Sequence, residues 1–312
     1  MTRRRSAPRG YALAACAATL WALHGSLSRY LLDDGVDAYR LSQLRSAGSF
    51  AILLVVLAIW RSPLLRVDRA DVPLFAFLGI AGLALVHAAY YTAIDHLNVG
   101  PALTIQYLAP LLLLLWLRVF HGRRLRPALW GALALSVVGC FLVVKAYDVA
   151  ALDGLGVAAA LTSALAFAFY VASSERAGQR YGAATTLVWG FGFATLFWTV
   201  VEPWWSFPWG VLGSGPRNLL LGLAVVLVGT LAPFLLMVTA LRDIPAPRAA
   251  IVATLEPVLG GLFEWLIRDT KLTAVQIAGG ALVVAAVVWV QSQRPDLEQE
   301  SAPSLREARV RR

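Results

Sequence analysis

Along the chain, long apolar stretches alternate with short polar punctuation ten times. The apolar runs fall at about 11–31, 41–60, 72–94, 99–120, 127–147, 155–174, 184–202, 218–240, 247–267 and 273–291. Each has about 17 to 25 residues, the length an α-helix needs to cross roughly 30 Å of hydrocarbon. The breaks between them hold helix stoppers and charges, as in Asp33-Asp34-Gly35, Arg61-Ser62-Pro63 and Gly122-Arg123-Arg124. The longest break, Glu202 to Arg217, carries Trp204, Trp205 and Trp209, the composition of an interfacial aromatic belt. The pattern therefore predicts an all-α integral membrane protein with ten transmembrane helices.

The runs repeat. A shift of 147 residues lays Tyr107-Leu108-Ala109-Pro110 over Thr254-Leu255-Glu256-Pro257, and also pairs Leu97 with Ile244 and Ala102 with Ala249. A shift of 146 pairs Gly10 with Gly156, Trp21 with Phe167, His24 with Tyr170 and Ser28 with Ser174. The unit holds five helices, so the second copy must enter the membrane from the opposite side. Two inverted five-helix repeats, 11–147 and 155–291, are expected between a basic N-tail, 1–10, and a disordered C-tail, 292–312. Inverted duplication is a transporter architecture, with the substrate site near the midplane between the halves.

Composition and charge sharpen this. Of the 312 residues 59% are hydrophobic and only 14% charged, against about 25% charged in soluble domains. The net charge of +9 does not indicate nucleic acid, because the basic residues lie in loops and tails rather than on one face. With the N-terminus inside, inner segments hold 20 Lys and Arg and outer loops 5. By the positive-inside rule both termini face the cytoplasm of a cell membrane. Cys16 and Cys140 both sit in apolar runs, which leaves no disulfide framework. No two histidines share a helix at ligand spacing, so no metal or other cofactor is expected.

Candidate chemistry is confined to a few polar residues at membrane depth. Such residues face protein or water rather than lipid. Trp21, His24 and Ser28 share one face of helix 1, and Phe167, Tyr170 and Ser174 repeat it in helix 6, as two walls of one cavity would; the alternative is interhelical packing with Ser hydrogen bonds. Helix 3 brings His87, Tyr90 and Tyr91, opposed by Thr230, Phe234 and Met237 of helix 8. Helix 4 brings Gln106 and Tyr107 ahead of Pro110. His96 and His121, at helix ends, are expected to be solvated. Glu256 is the sharpest residue: it could bind a substrate ammonium, carry a proton, or bond backbone opened by Pro257. Its repeat counterpart is Ala109, so the carboxylate is not needed merely to tolerate the proline. Pro110 and Pro257 read as a shared structural bend, Glu264 as an interfacial or gating residue, and Gly79, Gly82, Gly260-Gly261 and Gly279-Gly280 as close-packing positions.

The duplicated unit, Trp21 in Ala18-Thr19-Leu20-Trp21, Arg45 opening helix 2 and the stretch Ala249 to Val258 together resemble the drug/metabolite transporter superfamily, EamA-type ten-helix permeases. The resemblance covers about residues 10–291. It implies a basket of helices 1, 3, 4, 6, 8 and 9 around a central cavity, with helices 5 and 10 at its rim, and export of small solutes such as amino acids, metabolites or toxic compounds. The chain departs from the family's Gly-Glu-x-Leu after helices 4 and 9, reading Gly122-Arg123-Arg124-Leu125 and Asp269-Thr270-Lys271-Leu272.

The expectation is a secondary transporter working by alternating access, not an enzyme. Trp21, His24, His87, Tyr91, Gln106, Tyr107, Tyr170 and Glu256 would line its substrate site, and its partners would be a small-molecule substrate, the bilayer and a coupling proton. Aromatic walls with few charges suit a zwitterion or an amphipathic solute. A multidrug efflux permease is the nearest alternative. A membrane-embedded enzyme is the alternative of another class and would need a convergent catalytic set.

Overall fold

A computed structural model describes residues 6–97, 99–120, 122, 126–147, 153–268 and 271–293. The N-tail to Arg5, His121, the two loop motifs after helices 4 and 9 apart from Gly122, Lys271 and Leu272, and the C-tail beyond Gln293 lie outside the described residues, as does the side chain of Glu264. Helices account for nearly all the rest, and no strand occurs among the described residues. They form ten segments: α1 (Ala7–Asp33), α2 (Ala38–Trp60), α3 (Val72–Phe77, Leu78–Ala84 and Leu85–Leu97), α4 (Val99–Gln106 and Ala109–Phe120), α5 (Pro127–Val143), α6 (Gly154–Tyr181), α7 (Ala183–Val201), α8 (Pro216–Val226, Leu227–Leu231 and Ala232–Ala240), α9 (Ala246–Ala253 and Leu255–Arg268) and α10 (Ala274–Ser292). All but α1 and α5 are long and apolar enough to cross a membrane on those criteria alone. α1 has 27 residues but is interrupted by Thr19, His24, Gly25, Ser26 and Ser28, and α5 is apolar over 17 residues.

The two halves interlock. α1 packs on α8 and α9 of the second half, and α6 packs on α3 and α4 of the first. α2 pairs with α7, and α5 with α10. Small residues permit these approaches. Ala14, Ala17, Ala18 and Ala22 form the buried face of α1. A Cβ on Gly10 would fall 2.8 Å from Ile244, and one on Gly156 would fall 2.5 Å from Leu97, so the contact recurs at matched positions in both halves. Gly139 and Gly279 bring α5 and α10 together backbone to backbone: a Cβ on either would lie 2.7 Å from the other's carbonyl oxygen. Gly79 and Gly82 likewise press α3 onto α7 and α6. Gly260 differs from the packing role expected of it, since nothing lies within 4 Å of where its Cβ would be.

Contacts at the helix ends give the direction of each half. Tyr11, at the start of α1, donates to the Val290 carbonyl at the end of α10 (3.2 Å), so the described termini share one end of the molecule. The start of α6 lies instead beside the end of α3, where His96 is 3.4 Å from Asp153. The end of α6 lies beside the start of α3, where Arg180 pairs with Asp71 at 2.6 Å. α1 and α6 therefore run in opposite senses, as an odd-numbered repeat requires.

Four helices are irregular, at matched places. α3 widens to a π-turn at Leu78–Ala84 and α8 at Leu227–Leu231. α4 breaks at Tyr107-Leu108 and α9 at Thr254, in each case just ahead of the proline. A proline ring lacks an N–H and collides with the carbonyl four residues back, here Gln106 for Pro110 and Ala253 for Pro257. The chain yields by tightening: Leu108 N–H bonds the Ile105 carbonyl (3.0 Å) and Thr254 N–H the Ile251 carbonyl (3.1 Å).

Two arginines expected in loops are buried. Arg248, 0% exposed, lies inside α9 and donates to Tyr11 Oη (2.7 Å) and to the carbonyls of Val290 (2.9 Å) and Gln293 (2.8 Å), tying α1, α9 and α10. Arg40 pairs with Glu202 at 2.8 Å and donates to the Pro203 carbonyl (2.8 Å), holding the start of α2 to the end of α7. In the connection that follows, Trp205 and Trp209 are exposed and Phe207 is buried beneath Trp209.

Candidate functional site

The matched π-turns are the foundations of the site. On α8, Gly229 and Thr230 sit side by side in the turn. Gly229 receives the imidazole of His24 from α1: a Cβ there would lie 2.8 Å from His24 Cγ. Thr230 accepts from Arg45 Nε (2.8 Å), which reaches in from α2, and donates to the Val225 carbonyl five residues back (2.9 Å). On α3 the equivalent glycine, Gly82, receives Tyr170 from α6, 3.0 Å from Tyr170 Cα to a built Cβ. There His87 Nδ1 bonds the Leu83 carbonyl (2.8 Å). The scaffold is symmetric, but the first half presents imidazole and guanidinium where the second presents aromatic rings.

The broken helices supply the other charged group. Glu256 stands two residues past the break in α9 and is half-buried. Its carboxylate faces the Tyr107 hydroxyl at the break in α4, and the field of Arg45 acts on it. Arg45 also lies beside the hydroxyl of Tyr91, whose ring stacks on His87 at 6.4 Å. A buried cation on α2 and a carboxylate on α9 thus stabilise one another between the halves, which reduces the cost of each in an apolar interior. Cys140 of α5 backs the break, its Sγ 3.9 Å from the Thr254 carbonyl.

The eight expected site residues divide into two groups. His87, Tyr91, Gln106 and Glu256 are half-buried and Tyr107 is nearly sealed; His87 and Tyr91 meet on α3, and Tyr107 of α4 faces Glu256 of α9. His24 joins them through the α8 turn and the field of Arg45. Trp21 and Tyr170 belong to a buried aromatic block: Phe234 meets Trp21 at 5.2 Å, Tyr170 at 5.2 Å and Phe191 at 5.5 Å, and Phe167 meets Trp21 at 6.4 Å. The matched stripes of α1 and α6 are therefore packed onto each other's neighbours over this part of their length, and Phe234 packs there rather than against His87. Ser28 bonds His24 Nδ1 (2.8 Å), while the Ser174 and Tyr170 hydroxyls are buried without partners. His96 is exposed, as expected, though beside Asp153. Among the described residues no group of three or more His, Cys, Asp or Glu is placed to hold a metal.

Arg45 is the residue missed as a site component. It stood in the sequence as a residue near a helix end, but 5% exposure places it in the interior. The available signal was weak: Arg45 is the fifth residue of the apolar run 41–60 and so reads as interfacial.

Comparison with known proteins agrees with this architecture. The chain is 29% identical to the threonine/homoserine exporter RhtA of Escherichia coli (strain K12) over 259 residues, 81% of each chain. It is 23% identical over 281 residues, 88% of this chain and 92% of the other, to the uncharacterized inner membrane transporter YicL of Salmonella typhimurium (strain LT2). The pseudopaline exporter CntI of Pseudomonas aeruginosa (strain UCBPP-PA14) is 25% identical over 244 residues, 75% of this chain and 80% of the other. A solved crystal structure with 18% identity superposes with a TM-score of 0.74, covering 90% of this chain and 95% of the other, and so shares the fold. Residues 8–145 and 154–291 each match the EamA-like transporter family. This multi-pass membrane protein, with two copies of the unit covering most of its length, belongs to that family.

Proposed function

We propose that the protein exports small amino-acid-class solutes, of the threonine and homoserine kind, by alternating access of its two halves around Glu256. The observation that carries this reading is the half-buried Glu256 carboxylate, beside the break of α9 and facing Tyr107 at the break of α4. Helix breaks at membrane depth provide unpaired backbone groups where a polar ligand can be held. Glu256 receives the substrate ammonium or a coupling proton. The groups facing it are Tyr107 from α4, Tyr90 from α3, Arg45 from α2 and Cys140 from α5. The substrate class rests on the names of the relatives together with this pairing of opposite charges.

Both termini lie on the cytoplasmic side in this reading. Moving Arg248 and Arg40 out of the loop counts takes one from each side and leaves nineteen basic residues against four.

Counterflow in proteoliposomes tests the proposal. Vesicles loaded with threonine should accumulate labelled threonine and homoserine, and E256Q should lose that exchange while keeping its yield and melting temperature. Exchange of cationic drugs with no amino-acid exchange would replace this reading by multidrug efflux. Full exchange by E256Q would remove Glu256 from the mechanism.

A further inference from the structure

Arg45 carries more donors than the protein uses. A guanidinium has five N–H donors in a planar fork. Its Nε bonds Thr230 Oγ1 (2.8 Å), and the Tyr91 hydroxyl lies beside it. Glu256 acts on it as a charge without forming an ion pair with it, and faces Tyr107. The remaining donors have no protein acceptor among the described residues. Yet no Arg45 nitrogen is among the buried polar atoms left unpartnered, so these donors are not sealed off. They open beside half-buried Tyr91, His87 and Glu256. The other charged and titratable groups near the guanidinium are His24 and His87, neither of which supplies a carboxylate.

We propose that Arg45 is the carboxylate subsite of this transporter: its free fork binds the substrate's α-carboxylate while the ammonium lies toward Glu256. This rests on the amino-acid reading of the site. A planar fork matches a carboxylate with two parallel hydrogen bonds, which the point charge of a lysine does not. Thr230 holds the guanidinium from α8 and Tyr91 flanks it from α3, so the fork is oriented before the substrate arrives. Arg45 and Glu256 belong to opposite repeats, so a bound zwitterion bridges the halves and replaces their direct attraction. An amine without a carboxylate leaves Arg45 unmatched and is a poor substrate.

The test uses the full chain in proteoliposomes with labelled threonine, threonine methyl ester and 1-amino-2-propanol; the last two keep the ammonium and lack the carboxylate. R45K should raise the KM for threonine about tenfold to a hundredfold, as expected for a lost charge-assisted hydrogen bond. The KM values for the two amines should stay as in wild type. An equal loss on all three compounds would make Arg45 a structural residue and overturn the assignment. Unchanged threonine transport by R45K overturns it as well, while leaving the amino-acid reading intact. If wild type exchanges no amino acid, both readings fall. Competition in wild type is independent of whether the variant inserts: the methyl ester should inhibit threonine uptake at least about tenfold more weakly than threonine itself, and equal inhibition refutes the subsite.

Discussion

Tyr107 and Thr254 occupy equivalent positions in the two halves, and one of them has become a partner for charge. Tyr107 faces the Glu256 carboxylate, whereas the Thr254 hydroxyl turns back onto the Ile251 carbonyl of its own helix (2.6 Å). The same drift separates His24 from Tyr170 and Glu256 from Ala109. A symmetric frame has thus acquired an asymmetric lining, the condition for binding a solute whose two ends differ. Y107F should retain the fold and lower threonine exchange by about tenfold, since the hydroxyl it removes faces a charged group; flux equal to wild type would show that Glu256 needs no orientation from α4. At this scale the sequence was only partly legible. Glu256, Tyr107 and His87 declared themselves as polar groups in apolar runs. Trp21 and Tyr170 have the same signature, yet they ended in the aromatic block around Phe234, because the stripe pattern does not say what faces it. Arg45 was hidden by its place in the first third of α2, where a charge reads as interfacial.

Elements show why the site lies where it does. Pro110 and Pro257 interrupt the helical hydrogen-bond ladder, and at the π-turns of α3 and α8 side chains bond back onto the helix, His87 to the Leu83 carbonyl and Thr230 to the Val225 carbonyl. Polar side chains are therefore anchored to irregular backbone that is itself duplicated. The prolines were visible in the sequence as a repeat-matched pair. The π-turns were not, since Gly82 and Gly229 look like ordinary close-packing glycines until the rings of Tyr170 and His24 are seen lying on them. P110A and P257A each restore a donor and remove a ring clash, so each should raise the melting temperature in detergent while slowing exchange. Faster exchange, or a lower melting temperature, would mean that the breaks serve packing rather than transport.

For the whole molecule, the principal helix pairings cross from one half to the other, so neither half buries its faces alone. Opening and closing must then occur at the ends, where the ties are fewer and polar. At one end, Asp71 accepts from the Tyr181 hydroxyl (2.5 Å) and pairs with Arg180, joining the start of α3 to the end of α6; Thr185 and Trp189 hold the Leu64 and Leu65 carbonyls beside it. At the other end, Arg40 and Gln43 bind Glu202 and its neighbours. D71N should weaken the first latch and favour the state open toward the cytoplasm in the proposed orientation. A cysteine placed at Ala184 should then react faster with a thiol reagent applied from that side, and an unchanged rate would discount the latch. The inverted duplication was legible from matched spacings alone. The latches were not, because they join residues more than 100 positions apart; only the structure shows that Asp71–Arg180 has a charge-reversed counterpart in Arg217–Asp34 (3.5 Å), 146 residues removed at each partner.

The glycine crossing of α5 and α10 bears on how the protein is made. These are the last helices of their halves, and Gly139 can meet Gly279 only after the final span has left the ribosome. Until then α5 has only its contacts with α4 and α9 to hold it. This backbone-to-backbone contact is thus among the last to form during synthesis, and a chain that ends before Gln276 lacks the α10 face on which Gly139 and Val143 pack.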